Sequence, residues 1–188
     1  MDFKKNYFKW TPEQLQQFYS NIRSISTNRN TDISTGGLKF ILDQCQQGIN
    51  SVLDVGCGKG YLLQLLNDRF PELELHGTDF VAHAGAAQFP FTLSDARKLP
   101  FAGKSFDMVV CTHTIEHVHD AHSLIDELKR IARKKLIVIT PKQRYYYYTL
   151  DEHVNFFPRK EILTALLDLP EHECHLIDGD WVYIGFPQ

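Results

Sequence analysis

No apolar run in the 188 residues approaches the length of a membrane-spanning helix, so a membrane span is not expected. The first residues, Met-Asp-Phe-Lys-Lys-Asn, carry no apolar signal core, and the expected location is the cytoplasm. An excess of one charge is lacking too. Lys and Arg number 20 against 23 Asp and Glu, a net charge of −3, which gives bulk electrostatics no bias toward nucleic acid or anionic lipid. Cysteine is sparse: Cys45, Cys57, Cys111 and Cys174 are widely separated and read as reduced core residues rather than a disulfide framework. There is no internal repeat, and the only low-complexity stretch is the run Tyr145–Tyr148. What remains is an ordinary soluble composition, 43% hydrophobic and 23% charged, on a chain long enough for one domain with a substantial core.

Glycine is concentrated where a ligand could use it. Residues Ser51 to Leu62 read Ser-Val-Leu-Asp-Val-Gly-Cys-Gly-Lys-Gly-Tyr-Leu, a short buried strand that runs into a turn and then a helix. Gly56, Gly58 and Gly60 tolerate positive φ and admit a ligand close to the backbone. The following helix offers unpaired N–H groups and a positive dipole end. The dinucleotide fingerprint G-x-G-x-x-G is absent, because the third glycine comes one residue early and Tyr61 stands where the fingerprint wants glycine. This disfavours a nicotinamide-dependent oxidoreductase. The pattern Asp-x-Gly-x-Gly-x-Gly, beginning at Asp54, resembles motif I of the class I S-adenosylmethionine-dependent methyltransferases, in particular their small-molecule type 11 branch. That resemblance implies that Asp54 and the three glycines hold the methionine end of S-adenosylmethionine.

Three later stretches extend the resemblance in the right order. Leu73 to Phe80 alternates as a second strand and ends on Asp79, 25 residues after Asp54, where a carboxylate would accept from adenosine ribose hydroxyls, with Phe80 beside it. Asp95-Ala96 followed by Leu99-Pro100-Phe101 resembles the family's D-A-x-x-L-P-F signature, which implies an adenine contact through the Asp95 carboxylate and the backbone at Ala96. Strand four, Met108 to Thr112, ends at Thr112 and should border the methyl group, and Leu136 to Thr140 is a continuous apolar strand covered on both faces. Asp178-Gly179-Asp180 joins two final strands as a hairpin. One departure stands out: Val81 to Gln88 is too short and alanine-rich for the full crossover helix the family has there.

Around this core, Thr11-Pro12-Glu13-Gln14 starts a helix with Leu15, Phe18, Tyr19 and Ile22 on one face. A second helix is expected from about Thr35 to Gln47 and a later one from Pro158, burying Ile162, Leu163, Leu166 and Leu167. The helix behind Asp120 buries Ala121, Leu124, Ile125, Leu128, Ile131 and Ala132. The expected architecture is one Rossmann-like, three-layer α/β domain: a seven-stranded, mostly parallel sheet closed by an antiparallel C-terminal hairpin strand. Residues 1–34 form a helical cap or lid, with Phe3, Tyr7, Phe8 and Trp10 on it, and residues 35–188 form the cofactor-binding domain. Arg29 and Lys39 are within reach of a cofactor carboxylate but read first as surface charges.

Five of the nine histidines, His113, His117, His119, His122 and His153, fall in two loops at the sheet's carboxyl edge. Methyl transfer to a hydroxyl needs a base, and His153, His117 and His113 are the catalytic candidates. The same residues with Glu116 are loosely similar to the metal site of small-RNA 2′-O-methyltransferases, although His113 stands where that family has a glutamate. Seven bases and no acid lie from Lys129 to Arg144, which read first as a solvated helix end. The weighed expectation is S-adenosylmethionine as cofactor, no metal, no nucleic acid, a small-molecule or glycan acceptor with O-methylation, and a monomer or homodimer. Metal-assisted RNA methylation, a cofactor-binding module without turnover, and an interaction domain built on the tyrosine loop are the alternatives.

Overall fold

A computed structural model describes residues 3–21, 30–46, 48–145 and 152–188. The elements in chain order are α1 (Phe3–Tyr7), α2 (Pro12–Asn21), α3 (Thr35–Gln44), β1 (Ser51–Val55), α4 (Tyr61–Arg69), β2 (Glu74–Asp79), β3 (Phe91–Leu93), β4 (Phe106–Thr112), α5 (Ala121–Ile131), β5 (Ala132–Pro141), α6 (Lys160–Leu167), β6 (His172–Ile177) and β7 (Asp180–Gly185). Single 3₁₀ turns occupy Ala86–Gln88 and Ile115–His117.

The strands form one sheet in the order β3-β2-β1-β4-β5-β7-β6. β1 pairs in parallel with both β2 and β4, and β5 with β4, while β7 inserts antiparallel between β5 and β6. The chain therefore leaves β1 toward one edge and returns to fill the other. That reversal opens a crevice beyond the carboxyl ends of β1 and β4, the place where open α/β sheets bind ligands. The expected architecture, including the antiparallel last strand, is the observed one.

Side-chain patterning explains the layers. Every residue of β1 is buried, as a strand covered on both faces requires. Leu53, Val55, Val109 and Val138 join α5 and α6 in one core, and Val52, Val110, Ile137 and Ile139 join α3 and α4 in the other. Helix boundaries follow local chemistry. Thr11 and Gln14 make reciprocal cap bonds, Thr11 N–H to Gln14 Oε1 at 3.0 Å and Gln14 N–H to Thr11 Oγ1 at 3.3 Å. Asp120 caps α5 by accepting from Ser123 N–H.

Several boundaries differ from expectation. α3 ends at Gln44, short of Gln47, which lies outside the described residues together with Ile22 and Arg29. Pro158 does not begin α6: Arg159 is extended at φ −136° and ψ 144°, and the helix starts at Lys160. The apolar face is rotated accordingly, with Leu163 and Leu167 fully buried and Ile162 39% exposed. β5 begins four residues before Leu136, directly at the end of α5: Ala132 is extended at φ −69° and ψ 128° and opens the strand, where the sequence placed it on the helix. Its polar start is tied down, since Arg133 and Lys134 pair with the buried Asp107 carboxylate and Lys135 Nζ donates to Gln44 O. With Arg130 on Glu127, four of the seven bases noted above are thus engaged in holding the fold.

Leu128 is fully buried at the centre of the α5 layer. Leu128→Ala should lower unfolding free energy by about 2–5 kcal/mol in urea titrations. A change under about 1 kcal/mol would mean that α5 is not packed as described.

Candidate functional site

The crevice holds a cavity of about 790 Å³. One wall is the glycine turn. Gly56 and Cys57 N–H both donate to Thr78 O, at 2.8 and 3.1 Å, which folds the turn back over β2. Gly56 has φ +78°, and a Cβ there would lie 2.0 Å from Thr114 Oγ1, so glycine is required twice over. Asp79, at the tip of β2, accepts from Gly58 N–H through Oδ2 at 2.8 Å and from Val81 N–H through Oδ1 at 2.9 Å.

Asp54 lies beneath this turn, 2% exposed, and its Oδ1 has no hydrogen-bond partner. Burial pushes its carboxyl up to about 7, and the nearby Asp79 charge adds to the effect. A buried, unpartnered carboxylate oxygen on a cavity wall is a vacant acceptor for a cationic ligand. The α-ammonium and sulfonium of S-adenosylmethionine answer that need, and the glycine turn leaves backbone room for them. The residues present therefore fit the cofactor that the sequence resemblance implies.

Asp54, Gly56, Gly58, Asp79, Phe80, Asp95, Ala96 and Thr112 all line the one cavity. Gly60 does not. It is the N-cap of α4 at φ +77°, and a Cβ would come 3.0 Å from the backbone of Ala86, so it serves the packing of the short 3₁₀ crossover. Asp95 is brought to the cavity already engaged, accepting from Arg97 Nη2 at 2.5 Å and Nε at 2.9 Å. An adenine amino group would share Asp95 with Arg97, a residue whose role no sequence pattern disclosed. Lys39 is exposed on α3 and away from the cavity lining.

The other wall carries the histidines. His113 has φ +47° and sits between two carboxylates, Nδ1 3.4 Å from Glu116 Oε1 and Nε2 3.6 Å from Asp180 Oδ2. Burial by itself would lower its pKa, but the two acids outweigh burial and raise it to about 10. At neutral pH this imidazole is already protonated, which removes His113 from the base candidates. Glu116, 1% exposed, would be raised by burial, yet the contact with His113 brings its carboxyl below the usual range.

His117 and His153 meet instead. Their rings pack edge to face with centroids 4.7 Å apart, and both line the cavity. His117 Nδ1 is 3.2 Å from Glu152 O, and His153 Nδ1 contacts Gln143 Oε1. The geometry rests on Asn155, whose Nδ2 donates to Ile115 O at 2.9 Å and Val118 O at 2.7 Å. Val154 and Asn155 N–H both donate to Glu116 O. The loop behind His153 is thereby clamped onto the 3₁₀ turn that carries His117. Tyr7 closes the site from α1, donating through its hydroxyl to His117 O at 2.6 Å, and Tyr19 of α2 also lines the cavity. Of the tyrosine run, Tyr145 is 63% exposed, stacks edge to face on Phe156 and does not line the cavity. Tyr146–Tyr148 lie outside the described residues.

Comparison with known proteins agrees with this geometry. Residues 53–139 match the family described as "Methyltransferase domain". A demethylmenaquinone methyltransferase of Roseiflexus sp. (strain RS-1) is 35% identical over 89 residues, 43% of this chain and 37% of that protein. A probable chloroplastic tocopherol O-methyltransferase of Oryza sativa subsp. japonica is 28% identical over 111 residues, 52% of this chain and 31% of that protein. The aligned stretches thus span well under half of these relatives' length. Among solved structures, the 1,6-didemethyltoxoflavin-N1-methyltransferase of Burkholderia thailandensis, with bound 1,6-didemethyltoxoflavin and S-adenosylhomocysteine, superposes with a TM-score of 0.76. It shares 14% identity, over 95% of this chain and 91% of that one. The family match, the shared fold and the glycine turn over Asp54 agree: residues 53–139 are similar to a methyltransferase domain of the class I type, and the cofactor is S-adenosylmethionine.

Proposed function

We propose that the protein transfers the methyl group of S-adenosylmethionine to a hydroxyl of a small-molecule or glycan acceptor. The observation that carries this reading is that the glycine turn with Asp54 and Asp79, and the paired imidazoles of His117 and His153, line the same cavity. When bound, the cofactor supplies an electrophilic methyl on a sulfonium. A volume of about 790 Å³ leaves room for an acceptor beside it.

The chain's own residues do the rest. Asp79, fixed by two backbone N–H groups, presents carboxylate lone pairs to the ribose hydroxyls. Ala96, Phe80 and Arg97 bound the adenine end of the cavity. Thr112, Gly56 and Gly58 hold the methionine end, where Asp54 faces positive charge. His153 or His117 orients the acceptor hydroxyl and takes its proton as the oxygen attacks. Positioning of this kind supplies much of the rate of an in-line displacement. Tyr7 and Tyr19, brought over the histidine wall by α1 and α2, exclude water, and this is the lid role of residues 1–34. The named relatives are a demethylmenaquinone methyltransferase and a probable tocopherol O-methyltransferase, and they support a small acceptor over a polymer. The use of Arg130, Arg133, Lys134 and Lys135 within the fold argues the same way against RNA.

Incubation with methyl-labelled cofactor and a panel of sugars, phenols, lipids and RNA should label a hydroxyl compound. Label that stays on the cofactor throughout, despite tight cofactor binding, would instead make the protein a binding module. With an acceptor in hand, His117→Ala and His153→Ala should each lower turnover by about 10²–10⁴-fold while cofactor affinity stays level. Wild-type rates in both variants would point to a nitrogen, sulfur or carboxylate acceptor that arrives deprotonated.

Asp54 makes cofactor binding pH-dependent. Its folded carboxyl lies near 7, above the ordinary value of about 3.9, so without ligand it favours the protonated fold and loses stability as pH rises from about 4 to 7. A cation beside it favours the carboxylate, so binding below pH 7 must expel a proton. Calorimetry in buffers of different ionisation heat should show affinity rising from pH 5.5 to 7.5, with proton release at the lower end. Asp54→Asn should flatten that dependence, and a wild-type protein with flat affinity would show that Asp54 does not meet the cofactor's charge.

A further inference from the structure

We infer that Glu116, His117 and His153 form a binding site for one divalent transition-metal ion at the acceptor end of the cavity. The sequence by itself groups all of His113, Glu116, His117 and His153 and favours no metal. The fold divides that group. His113 is drawn to Asp180 at 3.6 Å, whereas one donor atom each from Glu116, His117 and His153 lie within 4.8 Å of one another. Donors around a single zinc-sized ion at about 2.0–2.2 Å stand roughly 3.4 Å apart, so small side-chain rotations close the set.

Three features separate this group from chance packing of two imidazoles. Each of the three side chains has a hydrogen-bond partner of its own. His117 Nδ1 meets the Glu152 carbonyl, His153 Nδ1 meets Gln143 Oε1, and Glu116 Oε2 accepts from Thr140 Oγ1 at 3.1 Å. Outer bonds of this kind fix ring tautomer and orientation in metal sites. Glu116 Oε1 is buried without a hydrogen-bond partner, since the His113 contact at 3.4 Å lacks hydrogen-bond geometry. The protonated His113 offsets its charge, but the oxygen keeps lone pairs that no hydrogen-bond donor occupies. The two segments that carry the ligands are locked together by four hydrogen bonds from Val154 and Asn155, so the donors are arranged before any ion arrives.

Two imidazoles and one carboxylate suit zinc, manganese, iron(II) or cobalt(II) rather than calcium or magnesium, which take oxygen ligands. Three protein ligands leave a coordination position open, and all three residues line the cavity, so an acceptor oxygen can occupy it. The consequence, which rests on the methyl-transfer reading, is that with the ion bound the two imidazoles act as its ligands in place of a base: the ion binds the acceptor hydroxyl and lowers its pKa, and the proton leaves to solvent. The site itself does not depend on that reading.

The test uses untagged, chelator-treated full-length protein dialysed against cobalt(II), and separately against zinc(II). The inference predicts one cobalt ion per chain with visible d–d absorption that zinc abolishes. His117→Ala and His153→Ala should each weaken cobalt binding by at least about tenfold, and Gln143→Ala by about 10–100-fold. S-adenosylhomocysteine affinity, measured on the same samples, should remain at the wild-type level and certifies folding. Less than one cobalt per chain at saturating metal overturns the inference, as does equal binding by wild type and both histidine variants. If S-adenosylhomocysteine binds and cobalt does not, the metal site fails and the methyltransferase reading stands. If cobalt binds and S-adenosylhomocysteine does not, the reverse holds.

Discussion

The carboxylate of Asp79 joins two corners of the sheet. One oxygen accepts from Gly58 N–H in the turn after β1, and the other accepts from Val81 N–H in the turn after β2. Because the two strands are adjacent and parallel, these bonds fix the glycine turn relative to the neighbouring strand tip. Thr78 O reinforces the closure from the strand itself by accepting from Gly56 and Cys57. Everything that faces a cofactor depends on this closure: the exposed face of the glycine turn, the depth of Asp54 beneath it, and the start of α4. A side chain at Gly56 would collide with Thr114, which ties the same turn to the end of β4 and so to the histidine wall.

The opposite wall is built by different means. No regular element holds His153. A loop does, and Asn155 with the backbone of Val154 fastens that loop to the 3₁₀ turn after β4. The Tyr7 hydroxyl is bonded to the same turn from the N-terminal side, donating to His117 O and accepting from His119 N–H. Two stretches distant in sequence thus converge on residues 115–119, one wall of the cavity. The buried pair of Glu116 and His113, with Asp180 beyond, extends that convergence to β7. A wall assembled from so many separate segments suits a part of the molecule that varies with the acceptor, while the glycine wall answers to an invariant cofactor.

Legibility in the sequence follows this division. The glycine wall is local: Asp54, the glycines and the spacing to Asp79 are all consequences of short strand-turn-helix chemistry, and the mostly parallel sheet with its antiparallel last strand followed from the methyltransferase resemblance together with the apolar runs and the Asp-Gly hairpin signal. Long-range contacts were the hidden part. Nothing near Asp95 shows that Arg97 folds back onto it, and the value of His113 as a base disappears only when Asp180 arrives from a strand 67 residues away. Gly60 was legible as a glycine but not as a packing glycine, because Ala86, its neighbour, lies across the crossover. The α6 boundary moved for a local reason, the extended backbone at Arg159, and turned Ile162 outward.

The central claim is that a cofactor wall and a histidine wall line one and the same cavity. A crystal structure of the protein with S-adenosylhomocysteine tests it most directly. The account places the ribose on Asp79, the adenine beside Ala96, the amino acid end over Gly56 and Gly58, and the sulfur directed toward His117 and His153. Ligand density elsewhere on the molecule, or a sulfur turned away from the two imidazoles, would contradict it.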